Sequence, residues 1–178
     1  MFESIRPWIA SATCLLVLQL GCDADMKWTA VDSMIQANFG DVPQISTDSL
    51  AVLLNDTSGQ PAPVLLDARQ PEEYAVSHLS GATRVDPEAS AFPELDSLDA
   101  STPVVVYCSV GYRSARVTER LREQGFTAYN LKGSIFRWAN EGRTVVRDGQ
   151  VVGEVHPYDS TWGDLLDEDL HALKPGRK

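Results

Sequence analysis

Cysteine and histidine are scarce in this sequence: its 178 residues hold three of each. That scarcity excludes a disulfide scaffold and a cysteine-rich zinc cluster. Positive charge is also in deficit, with Lys+Arg 15 against Asp+Glu 25 and a formal net charge of −10. A chain of that sign repels the polyanion it would have to neutralise, which argues against nucleic-acid binding. There is no internal repeat and no low-complexity segment. The one long apolar run, Trp8 to Leu20, falls short of the about 20 residues of a membrane span. What the chain does hold is ordinary: 43% hydrophobic and 22% charged residues exclude disorder and collagen-like repeats, and the length suits one domain with extensions.

Residues 1–21 read as a signal peptide. Arg6 precedes the apolar run, and Leu18-Gln19-Leu20-Gly21-Cys22 resembles the lipobox of bacterial lipoproteins, with Gln19 departing from its usual apolar residue. The competing readings are an ordinary signal peptide cut elsewhere and an uncleaved anchor helix; on the lipoprotein reading Cys22 carries lipid, Cys14 is discarded and Cys108 is the sole remaining thiol. The protein is then exported to the bacterial cell envelope, faces the periplasm and meets the membrane through its lipid anchor.

Residues 22–46 form an N-terminal helical extension, in which Trp28, Val31, Ile35 and Phe39 share helical spacing over Met26–Phe39. Thr47 reads as the N-cap of a short helix carrying Leu50, Leu53 and Leu54. Asn55–Pro63 is a loop, Pro63–Asp67 a buried strand, and Pro71 a helix start with acids at the positive dipole end. Residues 87–103, broken by Pro87, Pro93 and Pro103, read as a surface connection. Pro103–Tyr107 is the strongest strand, β-branched and uncharged as a central parallel strand is. Arg113–Gln124 and Ile135–Asn140 read as helices around a strand at Phe126–Leu131, with Gly125 as a stop. This alternation implies an α/β domain with a parallel sheet. Residues 143–178 form a C-terminal extension: an Asp148-Gly149 hairpin and a short helix around Leu165 and Leu166.

Cys108 stands at the C-terminal end of the central strand, where parallel sheets bind ligands. The loop Cys108-Ser109-Val110-Gly111-Tyr112-Arg113 has a glycine that lets the chain curl into an anion nest, a helix N-terminus behind it and a full positive charge at Arg113. All three favour thiolate over thiol and make a nucleophile. The competing reading is a buried structural cysteine, and the loop alone leaves both open.

Leu65-Leu66-Asp67-Ala68-Arg69 with Glu73-Tyr74, His78-Leu79-Ser80-Gly81-Ala82, Val104–Cys108 with its loop, and Asn130-Leu131-Lys132-Gly133-Ser134-Ile135 with Trp138 and Gly142 together resemble the rhodanese-like family over residues 47–142. Ser134 stands where the family often has a second glycine. The resemblance implies a three-layer α/β domain with a central five-stranded parallel sheet flanked by helices. It implies Cys108 as a sulfur-accepting nucleophile, the amides of Ser109, Val110, Gly111, Tyr112 and Arg113 as a cradle, and the Arg113 side chain on an oxyanion. Cys108 would take sulfane sulfur from a small anionic donor such as thiosulfate and pass it to cyanide, a thiol or a protein acceptor. No metal or organic cofactor is required.

Asp67 and Arg69 read as a supporting ion pair, with direct catalysis the lesser reading. His78 reads as scaffold, Trp138 as core, and Arg116, Arg120 and Arg122 as a solvated face. Two alternatives stand beside sulfur transfer. One is a non-catalytic sulfur-carrier or protein-binding module. The other is a phosphatase- or arsenate-reductase-like enzyme, which the Cys-x4-Arg spacing disfavours, since those relatives use one residue more. The acidic surface further predicts thiosulfate turnover that rises with salt.

Overall fold

In the computed structural model, residues 25–59, 61–99 and 101–176 are described; the expected signal peptide and Cys22 lie outside them. Among the described residues no helix is long and apolar enough to cross a membrane. The chain begins with α1 (residues 25–38), close to the span that its apolar spacing predicts. Strand β1 (Gln44–Ile45) leads into α2 (Thr47–Leu54). Thr47 is not the cap of α2. Ser46 is, its hydroxyl accepting the Ser49 N–H at 3.0 Å, while Thr47 turns inward and is buried.

Strands β2 (Val64–Asp67), β3 (Thr83–Arg84), β4 (Val104–Tyr107) and β5 (Ala128–Leu131) follow, with α3 (Pro71–Val76), α4 (Tyr112–Glu123) and α5 (Ser134–Asn140) between and after them. The sheet order is β1-β5-β4-β2-β3 and every pair is parallel. This is the five-stranded sheet that the resemblance implies. Its edge strand β1 falls ahead of residue 47, in the segment read from sequence as a helical extension.

Period-two alternation splits the strand side chains between two cores. Leu65, Val105, Tyr107 and Leu131 pack with Ile35 of α1, Leu50 of α2 and Ile135 and Trp138 of α5. Leu66, Val104, Val106 and Cys108 pack on the other face with Val117 and Leu121 of α4. Phe92 and Leu95 join this second core from a 3-10 turn at Pro93–Leu95. Residues 87–103 are therefore more than a surface connection: the prolines break regular structure, but two apolar side chains between them are buried. Arg120 reinforces the segment by donating to the Ala89 carbonyl at 2.7 Å, so it is not simply part of a solvated face.

The C-terminal extension is fastened to the sheet layer. Its hairpin, β6 (Val145–Arg147) and β7 (Gln150–Val152), turns through Asp148 and Gly149 at φ of 50° and 73°. Val145, Val155, Leu165 and Leu166 enter the first core. Helix α6 is Ser160–Gly163 rather than a helix around Leu165, because Asp159 accepts the Thr161 and Trp162 N–H groups at 2.9 Å and starts it early. Leu165 and Leu166 follow in a turn, where Asn140 donates to the Leu165 carbonyl at 2.9 Å.

Candidate active site

Strand β4 is the middle strand, and the chain leaves β2 toward β3 but leaves β4 toward β5. The loops beyond these two neighbours diverge, and ligands bind in α/β sheets at such a point. One loop delivers Cys108. The other delivers α3 and, on its first turn, Glu73.

Cys108 is 1% exposed. Its N–H donates to the Ser134 hydroxyl at 3.0 Å, and its carbonyl accepts the Ile135 N–H at 3.2 Å. The chain then curls through Gly111, whose φ of 115° and tight fit suit only glycine: a Cβ there would lie 3.1 Å from the Ile35 side chain. The curl aims the Gly111 N–H at Cys108 Sγ, 3.1 Å away. Gly111 also caps α4, whose first-turn N–H groups lack intrahelical acceptors. Asn130 on β5 holds the curl by donating to the Gly111 carbonyl at 3.0 Å and accepting the Ser114 hydroxyl at 2.6 Å.

Burial pushes the Cys108 thiol up, but the Arg113 charge, the Ser114 hydroxyl and N–H and the Gly111 N–H outweigh it, and the thiol lies below its ordinary value. The Ser114 hydroxyl is a divided donor. Its single proton is shared between Asn130 Oδ1 at 2.6 Å and Sγ at 3.5 Å, and the shorter bond claims it.

Arg113 sits over the site but is not free. Glu73, 1% exposed, accepts its Nη1 at 2.7 Å and its Nη2 at 2.8 Å, and the Ser109 hydroxyl donates to the same carboxylate at 2.8 Å. Burial pushes the Glu73 carboxyl up, but the Arg113 guanidinium and the Gln70 and Ser109 donors hold it below the usual range. The Tyr158 ring stacks on the guanidinium from the outside, 4.7 Å from Cζ to centroid.

Asp67 and Arg69 do not line the Cys108 pocket. They form a wholly buried pair behind it, with Arg69 Nε 2.9 Å and Nη2 2.6 Å from the carboxylate and Nη2 also on the Ser77 carbonyl at 2.5 Å. The guanidinium lies 5.8 Å from the ring centroid of Tyr107, whose hydroxyl accepts the Leu79 N–H at 3.0 Å. The pair thus steadies the residue that precedes Cys108. His78 stacks on Tyr74 at 3.9 Å and exchanges backbone hydrogen bonds with Val146, and Trp138 is buried core.

The pocket over Cys108 has a volume of about 230 Å³. Gly111, read from sequence with the loop, is not among the pocket's lining residues and meets Cys108 through its N–H; Ser109, Val110, Tyr112 and Arg113 line the pocket, together with Met34 of α1 and Tyr158 and Trp162 of the C-terminal extension. Sequence reasoning missed these three as site residues, and Glu73, Ser134 and Asn130 with them. The available signals were local: Glu73 lies inside a motif block, Ser134 replaces a customary glycine, and Thr161-Trp162-Gly163 is specific for an otherwise plain tail.

An α/β fold that holds one buried, depressed thiol on a Cys-x4-Arg loop at the end of its central strand is a class with known members. The profile of the rhodanese-like domain matches residues 47–141, and the chain belongs to that family. A sulfurtransferase of Allochromatium vinosum is 30% identical over 106 residues, 59% of this chain and 95% of that protein. An uncharacterized protein of Bacillus subtilis is 33% identical over 78 residues, 43% of this chain and 61% of its own. The chain spans only 14% to 31% of three other relatives. The solution structure of a rhodanese-like domain from Anabaena superposes with a TM-score of 0.52 at 27% identity, covering 59% of this chain and 79% of that one.

Proposed function

We propose that this protein is a sulfurtransferase that carries sulfane sulfur on Cys108. The observation behind the reading is the cradle itself: a buried thiol depressed by the Arg113 charge, with the Gly111 N–H on Sγ at 3.1 Å. In the first half-reaction the thiolate attacks the outer sulfur of a donor, thiosulfate being the simplest, and sulfite leaves. The Cys108 persulfide then passes its terminal sulfur to cyanide, a thiol or a protein acceptor. The amide donors that favour a thiolate favour an anionic persulfide equally.

Intact-mass measurement on residues 23–178 tests this. Thiosulfate is expected to add one sulfur to the wild type, cyanide to remove it, and Cys108→Ser to show neither. Loading by polysulfide alone would make the protein a carrier, and loading by no sulfane-sulfur donor, inorganic or organic, would refute sulfur transfer.

We further propose export and lipid attachment at Cys22, on the strength of the Leu18–Cys22 segment. Labelled palmitate should enter the full chain expressed in a Gram-negative host and be lost in Cys22→Ser; equal labelling of both would refute it.

A further inference from the structure

Three of the seven residues that line the pocket with Cys108 lie outside the matched residues 47–141. Met34 reaches in from α1, and Tyr158 and Trp162 from the C-terminal extension. A second pocket of about 340 Å³ lies beyond, floored by Ala30, Val31 and Leu165. Met34 and Trp162 line both pockets, so the two meet at these side chains as one groove running from the thiol between α1 and the extension. The Lys27–Asp164 ion pair, 3.2 Å, stands in the outer pocket and ties its two walls together. The extension is held in place by core residues and by the Ser77 hydroxyl donating to the Glu154 carbonyl at 2.5 Å. At the Tyr158 turn, φ 68°, the Tyr158 N–H donates to His156 Nδ1 at 3.0 Å.

The charge in this groove is largely paired. Arg113 is the one cation lining the inner pocket; Glu73 takes one N–H from each of its terminal nitrogens, Ser109 takes another from Nη2, and Tyr158 covers its face. A small inorganic dianion therefore meets a paired cation and apolar walls, and must shed its water without full compensation. An apolar organic group meets Met34, Tyr112 and Trp162 on its way out of the site, surfaces that gain by being covered.

We propose that the preferred donor is an organic sulfane-sulfur compound of single negative charge, whose apolar substituent lies along the Met34–Trp162 groove while its outer sulfur faces Cys108. This deepens, and rests on, the sulfurtransferase reading. For a thiosulfonate, R–SO2–S−, the Cys108 thiolate attacks the outer sulfur. A new S–S bond forms, the S–SO2 bond breaks, and its electron pair leaves with the sulfinate R–SO2−. The enzyme keeps an anionic persulfide, and neither a proton nor an external redox partner is consumed.

Methanethiosulfonate and hexanethiosulfonate share one reacting head and differ only in the substituent. With the mature protein, kcat/KM for the hexane compound is expected to exceed that for the methane compound by tenfold or more. Met34→Ala and Trp162→Ala are each expected to shrink that ratio at least threefold, and Trp162→Phe to retain most of it. The products give a second readout. Hexanesulfinate should bind Cys108→Ser protein at least tenfold more tightly than methanesulfinate, measured by calorimetry. Equal rates for the two donors, or equal binding of the two sulfinates, would overturn the proposal. If no donor loads Cys108, the sulfurtransferase reading fails instead, and the sulfinate titration decides the groove alone.

Discussion

Glu73 and Arg113 stand 40 positions apart in the chain and meet in a two-pronged ion pair, Nη1 to Oε2 at 2.7 Å and Nη2 to Oε1 at 2.8 Å. The pair bridges the loops after β2 and β4, the two strands whose connections diverge. Arg113 is thereby fixed where its charge reaches Cys108, and each of its terminal nitrogens already gives an N–H to Glu73. The loop's cation acts on the thiol as a fixed field.

Removing the carboxylate should cost stability in a pH-dependent way. Glu73→Gln is expected to lose about 3 kcal/mol at pH 7, the lower end for breaking a buried pair, because the Arg113 side chain is 22% exposed. The Glu73 carboxyl is depressed in the fold, so its contribution is present above the unfolded value of about 4.3 and is lost as pH falls through the folded one. Urea midpoints of wild type and Glu73→Gln should differ at pH 7 and converge toward pH 3.

Titration of Cys108 by iodoacetamide should show a midpoint below that of an ordinary thiol, about 8.5. Arg113→Met is expected to raise it, for two reasons of the same sign. The cation that favours the thiolate is gone, and the Glu73 carboxylate is left uncompensated nearby. An unchanged midpoint would mean that the amide donors alone set the thiol.

The pair behind the site should matter for folding rather than for thiol chemistry. Asp67 and Arg69 are both fully buried, and Arg69→Met strands the carboxylate. The expected loss is about 3–5 kcal/mol, read by urea denaturation, with the alkylation midpoint of Cys108 where it was.

Ser134 offers a test of backbone against side chain. It holds a left-handed φ of 51° that a residue with a Cβ adopts at a cost of about 1 kcal/mol, and its hydroxyl accepts the buried Cys108 N–H. Ser134→Ala leaves that N–H without its acceptor and should cost about 1–3 kcal/mol. Ser134→Gly loses the same bond but relieves the strain, so it should be the more stable of the two by thermal denaturation, the reverse of the usual order inside a helix.

Much of this protein is legible in its amino-acid order because the signals are local. The run Val104-Val105-Val106-Tyr107 allows little but a central strand, and Cys108 with Gly111 and Arg113 must then crown it, since the strand end, the curl and the helix start are consecutive. The Asp148-Gly149 hairpin and the α1 spacing are equally short in range. Single-residue caps are less secure: Ser46 and Thr47 are both competent, and the choice falls to Ser46 because Thr47 is drawn into the interior. What no local pattern carries is which side chains meet across crossovers. Glu73 finds Arg113 only once β2 and β4 lie side by side, β1 joins the sheet only once β5 offers it an edge, and Met34 and Trp162, 128 positions apart by their numbering, face each other only because two extensions pack against one layer. The buried thiol and its loop are written in six consecutive residues. The walls of the pocket around it are a property of packing, because burial of apolar surface draws distant segments together without regard to their separation along the chain.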